Sequence, residues 1–121
     1  MWLAILGFVT VEGLIRVFDL YRTMPWVDLP SHFLSGAAVT AVVYRYARVR
    51  EGTRRPLVAI GGNVLVALVW EALEMLDEVI TPDPPHLQDI FLWDGFWDVI
   101  AALIGGLALL GLITLRRDLA T

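Results

Sequence analysis

The chain has no cysteine, which excludes disulfides and thiolate metal sites alike. It has no lysine either: its nine basic residues are all arginine, and the net charge is −4. Phosphate contacts need a basic face, so this balance argues against a nucleic-acid partner. There is no Gly-rich phosphate loop, no Gly-x-Ser-x-Gly elbow and no HExxH stretch. The opening MWLAILGFVTVEGLIRVFDL lacks a basic n-region and a small-x-small cleavage site, and so does not read as a signal peptide. No internal repeat stands out.

What is present is oil. Of 121 residues, 58% are hydrophobic, and the mean hydropathy is +0.70. A soluble domain carries an apolar share nearer one half. Four apolar stretches, about 2–20, 31–48, 57–80 and 88–115, are separated by YRTMPWVDLP, RVREGTRRP and TPDPPH, whose Pro, Gly and charges suit loops. A span needs about 20 residues to cross about 30 Å of hydrocarbon. The expectation is therefore an all-α, integral membrane four-helix bundle, a single transmembrane domain over 1–121 in a prokaryotic cytoplasmic membrane. Seven of the nine arginines lie at 45–55 and 116–117. By the positive-inside rule both chain ends face the cytoplasm, and the loops near 21–30 and 81–87 face out.

The apolar stretches carry acid at membrane depth. Fourteen residues separate Leu57 from Glu71, a rise of only about 21 Å, so Glu71 and Glu74 are expected inside the hydrocarbon. The same arithmetic puts Glu12 and Arg16 within the membrane, and His32 a turn into the second helix. At about 100° per residue, Glu71, Glu74 and Glu78 share a face. So do Glu12, Arg16 and Asp19, and so do Asp94 and Asp98. Pro30 is expected to open the second helix, which leaves Asp28 in the preceding loop. Charges at this depth cost about 2.5–3.5 kcal/mol each and usually face a bundle interior. Four polar stripes at similar depth point to one chamber in the outer half of the bundle.

Crowded carboxylates repel unless a cation neutralises them. His32, Glu71, Glu74, Asp94 and Asp98 form an oxygen-rich ligand set with one imidazole, suited to Mg²⁺, Mn²⁺, Zn²⁺, Fe²⁺ or Ca²⁺. Glu12, Asp28, Glu78 and Asp89 would surround it. The catalytic candidates are Glu71 and Arg16. The bland alternative is that charges pair, with Arg16 holding Glu12 and Asp19 and His32 bonded to a carboxylate. A second alternative makes DIFLWDGFWD an interfacial segment, with Trp93, Phe96 and Trp97 as an aromatic belt and the span confined to Val99–Leu115. Ala101, Ala102, Gly105, Gly106 and Gly111, with Gly61, Gly62 and Asn63, are expected to serve helix packing, Asn63 with one interhelical hydrogen bond. His86 is expected on a surface loop.

DLPSHFLSG (28–36), WEALEML (70–76) and LQDIFLWDGFWDVIAALIGG (87–106) resemble the YjdF-like inner-membrane proteins, distant relatives of the VanZ-like family. That family looks like an Asp-x-x-x-His-Phe-x-x-Gly stretch, a Trp-Glu-x-x-Glu stretch and an Asp ladder that ends in small residues. The match covers three of the four helices. It implies Asp28, His32, Glu71, Glu74, Asp89, Asp94 and Asp98 as the family's positions. The ladder often continues with Asn, whereas this chain has Ala101-Ala102, so a third rung is missing. The VanZ-like association with glycopeptide resistance implies a cell-envelope setting and names no reaction.

Three functions stay open. One is a metal-dependent hydrolase or transferase acting on a lipid or envelope precursor. Another is a cation-binding or transport protein, against which the apolar inner helix halves and the little room in a monomer argue, though a homo-oligomer could change that. The third is a structural or interaction protein whose polar core fixes helix register.

Overall fold

The computed structural model describes residues 2–18, 20, 24–47, 54–80 and 91–118. These form four α-helices and no strand: α1 (Trp2–Val17), α2 (Asp28–Tyr46), α3 (Arg55–Ile80) and α4 (Phe91–Asp118), with a 3-10 turn at Pro25–Val27 leading into α2. The second helix is the hub. It packs against α1, α3 and α4, while α3 also packs on α4.

The core is made of small residues and the outside of large ones. Alanines 38, 41, 59, 67 and 102 are buried with Ile15 and Val27, whereas Leu65, Val69, Leu73, Leu107 and Leu112 are exposed. A water-soluble domain buries its leucines. In lipid, apolar side chains gain nothing by turning inward, and small residues at the seams let backbones approach. That inversion is the packing of a membrane protein.

The closest approach is between α2 and α4. A Cβ added at Gly36 would strike the Ala102 carbonyl, and one at Gly105 would strike the Phe33 carbonyl. Each helix therefore offers a glycine to the other's backbone. Asn63, buried on α3, donates Nδ2 to the Ala102 carbonyl at 2.8 Å, which supplies the expected interhelical hydrogen bond. Gly62 meets Val43, but Gly61 and Gly111 face open space, so the packing role expected of those two is not found.

Helix α2 begins at Asp28, not after Pro30. The first four N–H groups of a helix have no partner within it, so a proline at the third position removes no bond. Asp28 consequently lies on a helix, four residues before His32, and not in a loop. Helix α4 runs unbroken from Phe91, so its aromatic opening is the first turns of one long helix. Trp93, Phe96 and Trp97 are exposed there, with Phe96 edge to face with each tryptophan.

Two helices contain stretches long and apolar enough to cross a membrane, Arg55–Asp77 and Trp93–Arg116. The 16 residues of α1 rise only about 24 Å, short of the hydrocarbon thickness.

Candidate functional site

The site begins with the register of α2. Asp28 and His32 are one turn apart on one face, and His32 Nε2 lies 3.4 Å from Asp28 Oδ1. The glycine-mediated approach of α4 brings Asp98 Oδ2 to 3.9 Å from the same nitrogen. Both separations exceed a good N–H···O hydrogen bond. The 3.4 Å separation falls within, and the 3.9 Å separation lies a little beyond, the ~3–3.5 Å between neighbouring donors that bind one ion at about 2.0–2.2 Å. Asp98 is only 2% exposed, and its Oδ1 has no hydrogen-bond partner among the described residues. A buried carboxylate oxygen without a partner costs far more than a paired one.

The third helix closes the other side. Glu71 and Glu74 each bring a carboxylate oxygen within 4.8 Å of His32 and of one another, and Asp28, His32 and Asp98 meet within the same limit. His32 belongs to both groups. A neutral imidazole has one lone pair, so it can ligate one cation at a time. Glu74 Oε1 accepts from Trp70 Nε1 at 2.6 Å. Glu71 Oε1 is buried without a partner among the described residues. A Cβ on Gly95 would collide with Glu71 Oε2, so the glycine is what lets this carboxylate lie against α4.

A cavity of about 560 Å³ opens beside the ligand groups. Its floor is α2 and its walls are α1 and α3, which barely touch each other. One end is polar, with Asp28, Ser31, His32 and Glu74; the other is mostly apolar, with Phe8, Val39, Val66 and Ala67 beside Asn63, whose Nδ2 donates to the Ala102 carbonyl. Arg16 and Glu12 stand in the α1 wall, paired at 2.7 Å, and Ser31 Oγ donates to Glu12 at 2.7 Å. Arg16 is 63% exposed at its side chain, so this pair sits at the rim.

The four polar stripes thus divide between two adjoining places. His32, Asp28 and Glu74 belong to both. Asp98 and Glu71 lie in the α2–α3–α4 seam, and Glu12 and Arg16 lie across the cavity. Asp94, one turn from Asp98, is exposed and belongs to neither ligand group. Asp19, His86 and Asp89 lie outside the described residues, as does the side chain of Glu78. Two contributors have no signal in the charge pattern: Gly95, and Ser31, which steadies Glu12. Below the ligands, Thr40 is fully buried with its hydroxyl unpartnered among the described residues, close to Gly106.

The family described as "Predicted membrane protein (DUF2238)" matches residues 1–119. That is nearly the whole chain, so the protein belongs to this family. No curated protein and no solved structure matches it.

Proposed function

We propose that this member of the DUF2238 membrane proteins holds a divalent cation between α2, α3 and α4, and uses it on an amphiphile seated in the adjoining cavity. Asp98 carries the reading: its oxygen, unpartnered among the described residues, is buried beside His32 in a site crowded with acid. Asp28, His32 and Asp98 would be the ligands, with Glu71 and Glu74 completing the shell or exchanging into it. Oxygen donors with one imidazole suit Mg²⁺, Mn²⁺, Zn²⁺, Fe²⁺ or Ca²⁺.

A bound cation at this place would polarise a phosphoryl or acyl group, or activate a water, while Glu71 or Glu74 takes the proton. The cavity's two-ended character fits a lipid or envelope precursor whose head lies near the ligands and whose chain lies along Phe8, Val39 and Val66. Arg16 at the rim would face an anionic head group. One divalent ion would offset only two of the four carboxylates around His32, and Glu12 already engages Arg16. The arginine distribution supports an orientation with this basin facing out, and the resemblance to the VanZ-like family would fit an envelope setting.

The test is elemental analysis of detergent-purified protein, wild type beside Asp98→Ala and Glu71→Ala. A near-stoichiometric metal in the wild type, lost from both variants, is expected. A wild type that takes up no Mn²⁺, Zn²⁺ or Mg²⁺ after dialysis would instead leave the acids as paired, structural charges.

A further inference from the structure

At the opposite end of the bundle the chemistry is reversed. A second cavity, of about 250 Å³, lies where α1 starts, α2 ends, α3 starts and α4 nears its end. Its floor is apolar, formed by Ala41, Leu109 and Ile113, and its rim carries Arg45, Arg55 and Trp2. No carboxylate lines it among the described residues.

Arg55 is held in place. Its Nε donates to the Tyr44 carbonyl at 2.6 Å, and its guanidinium lies over the Tyr44 ring with the carbon 4.0 Å from the centroid. One face and one edge of the fork are thereby occupied. That leaves for a ligand the two terminal NH₂ groups, the pair through which an arginine grips phosphate in two parallel bonds. Arg45, in the last turn of α2, supplies a second guanidinium at the same cavity. Trp2 is 74% exposed, an aromatic placed where rings prefer the membrane–water boundary.

We infer that this cavity is a binding site for the phosphate head group of an anionic phospholipid. Basic pockets between membrane helices, backed by apolar surface, are suited to such heads. The volume is below the ~300–1,000 Å³ of sites that enclose a drug-sized molecule. It admits a head group and the first methylenes, and the chains would lie outside along exposed apolar residues such as Leu57 and Leu112. A free anion would not need that surface; a lipid would. The inference does not depend on the cation reading, because the two sites share no residue.

The experiment is native mass spectrometry of full-length protein released from equimolar phosphatidylglycerol and phosphatidylcholine. One retained phosphatidylglycerol, well in excess of phosphatidylcholine, is expected. Arg45→Gln should cut that excess about fivefold, as removal of one near-surface arginine charge implies, and Arg45→Gln/Arg55→Gln more. Arg45→Gln carries the test should the double variant fail to fold, because Arg45 is exposed and Arg55 is the residue tied to Tyr44. Arg54→Gln, an exposed arginine at the same end that does not line the cavity, should lower retention less than Arg45→Gln. Equal retention of both lipids would overturn the assignment, as would displacement by millimolar inorganic phosphate. A loss in Arg54→Gln equal to that in Arg45→Gln would make the effect one of general surface charge and equally refute it.

Discussion

At the scale of the residue, Asp98 decides between a cation site and a structural polar core. It is 2% exposed, and its nearest cationic candidate is His32 at 3.9 Å, with no arginine within ion-pair distance among the described residues. Without a cation, a buried unpartnered carboxylate is a liability, so Asp98→Asn should stabilise the chelated protein by about 1–3 kcal/mol. With a cation bound the same change removes a ligand, so the variant should lose the stabilisation that the metal gives the wild type. Thermal unfolding in detergent, with chelator and with excess Mn²⁺ or Zn²⁺, should show the two melting curves cross in order. A shift of one sign under both conditions would mean that Asp98 never meets a cation. His32, Glu71, Glu74 and Asp98 were legible because charge inside an apolar run is conspicuous and helical spacing fixes its face. Gly95 was not legible, since a glycine that makes room leaves no periodic trace. Its one signal is that glycine inside a helix costs about 1 kcal/mol relative to alanine and so implies a reason for being there.

At the scale of the element, the α2–α4 crossing sets the ligand geometry. Gly36 and Gly105 each admit the other helix's backbone, and that approach is what carries Asp98 to His32. Gly105→Val should destabilise the protein by about 1–3 kcal/mol or more, as overpacking a tight contact does. Gly111→Val, on the same helix but facing open space, should change stability by less than about 0.5 kcal/mol. Titration of both variants with sodium dodecyl sulfate in mixed micelles measures the difference; equal losses would show that helix propensity, not the crossing, is being read. Apolar runs disclosed the four helices, because hydrocarbon demands them. The seams were less legible. Gly105 and Gly111 look alike in the sequence, and only the path of α2 separates them. Pro30 misled for a related reason: a proline marks the first turn of a helix without saying which residue of that turn it occupies.

At the scale of the whole molecule, arginines gather at one end and acids at the other. Arg45, Arg54, Arg55 and Arg116 flank the ends of α2, α3 and α4, while the carboxylates that meet His32 lie toward the opposite ends. The long helices exceed the membrane: 26 and 28 residues rise about 39 and 42 Å against a core of about 30 Å. Tilt can absorb part of that excess, and the polar ends can project into water. Which end projects where fixes what the acidic basin can reach. The absence of cysteine makes this measurable, since a single introduced thiol reports without background. Met24, before α2, and Arg54, before α3, are both exposed and lie at opposite ends of the bundle. With the proposed orientation, a membrane-impermeant maleimide should label Met24→Cys on intact cells and label Arg54→Cys only after permeabilisation. The opposite pattern would turn the basin to the cytoplasm, so that a cation and an amphiphile would have to come from inside. The arginine cavity would then meet the outer leaflet, and its lipid would have to be one found there.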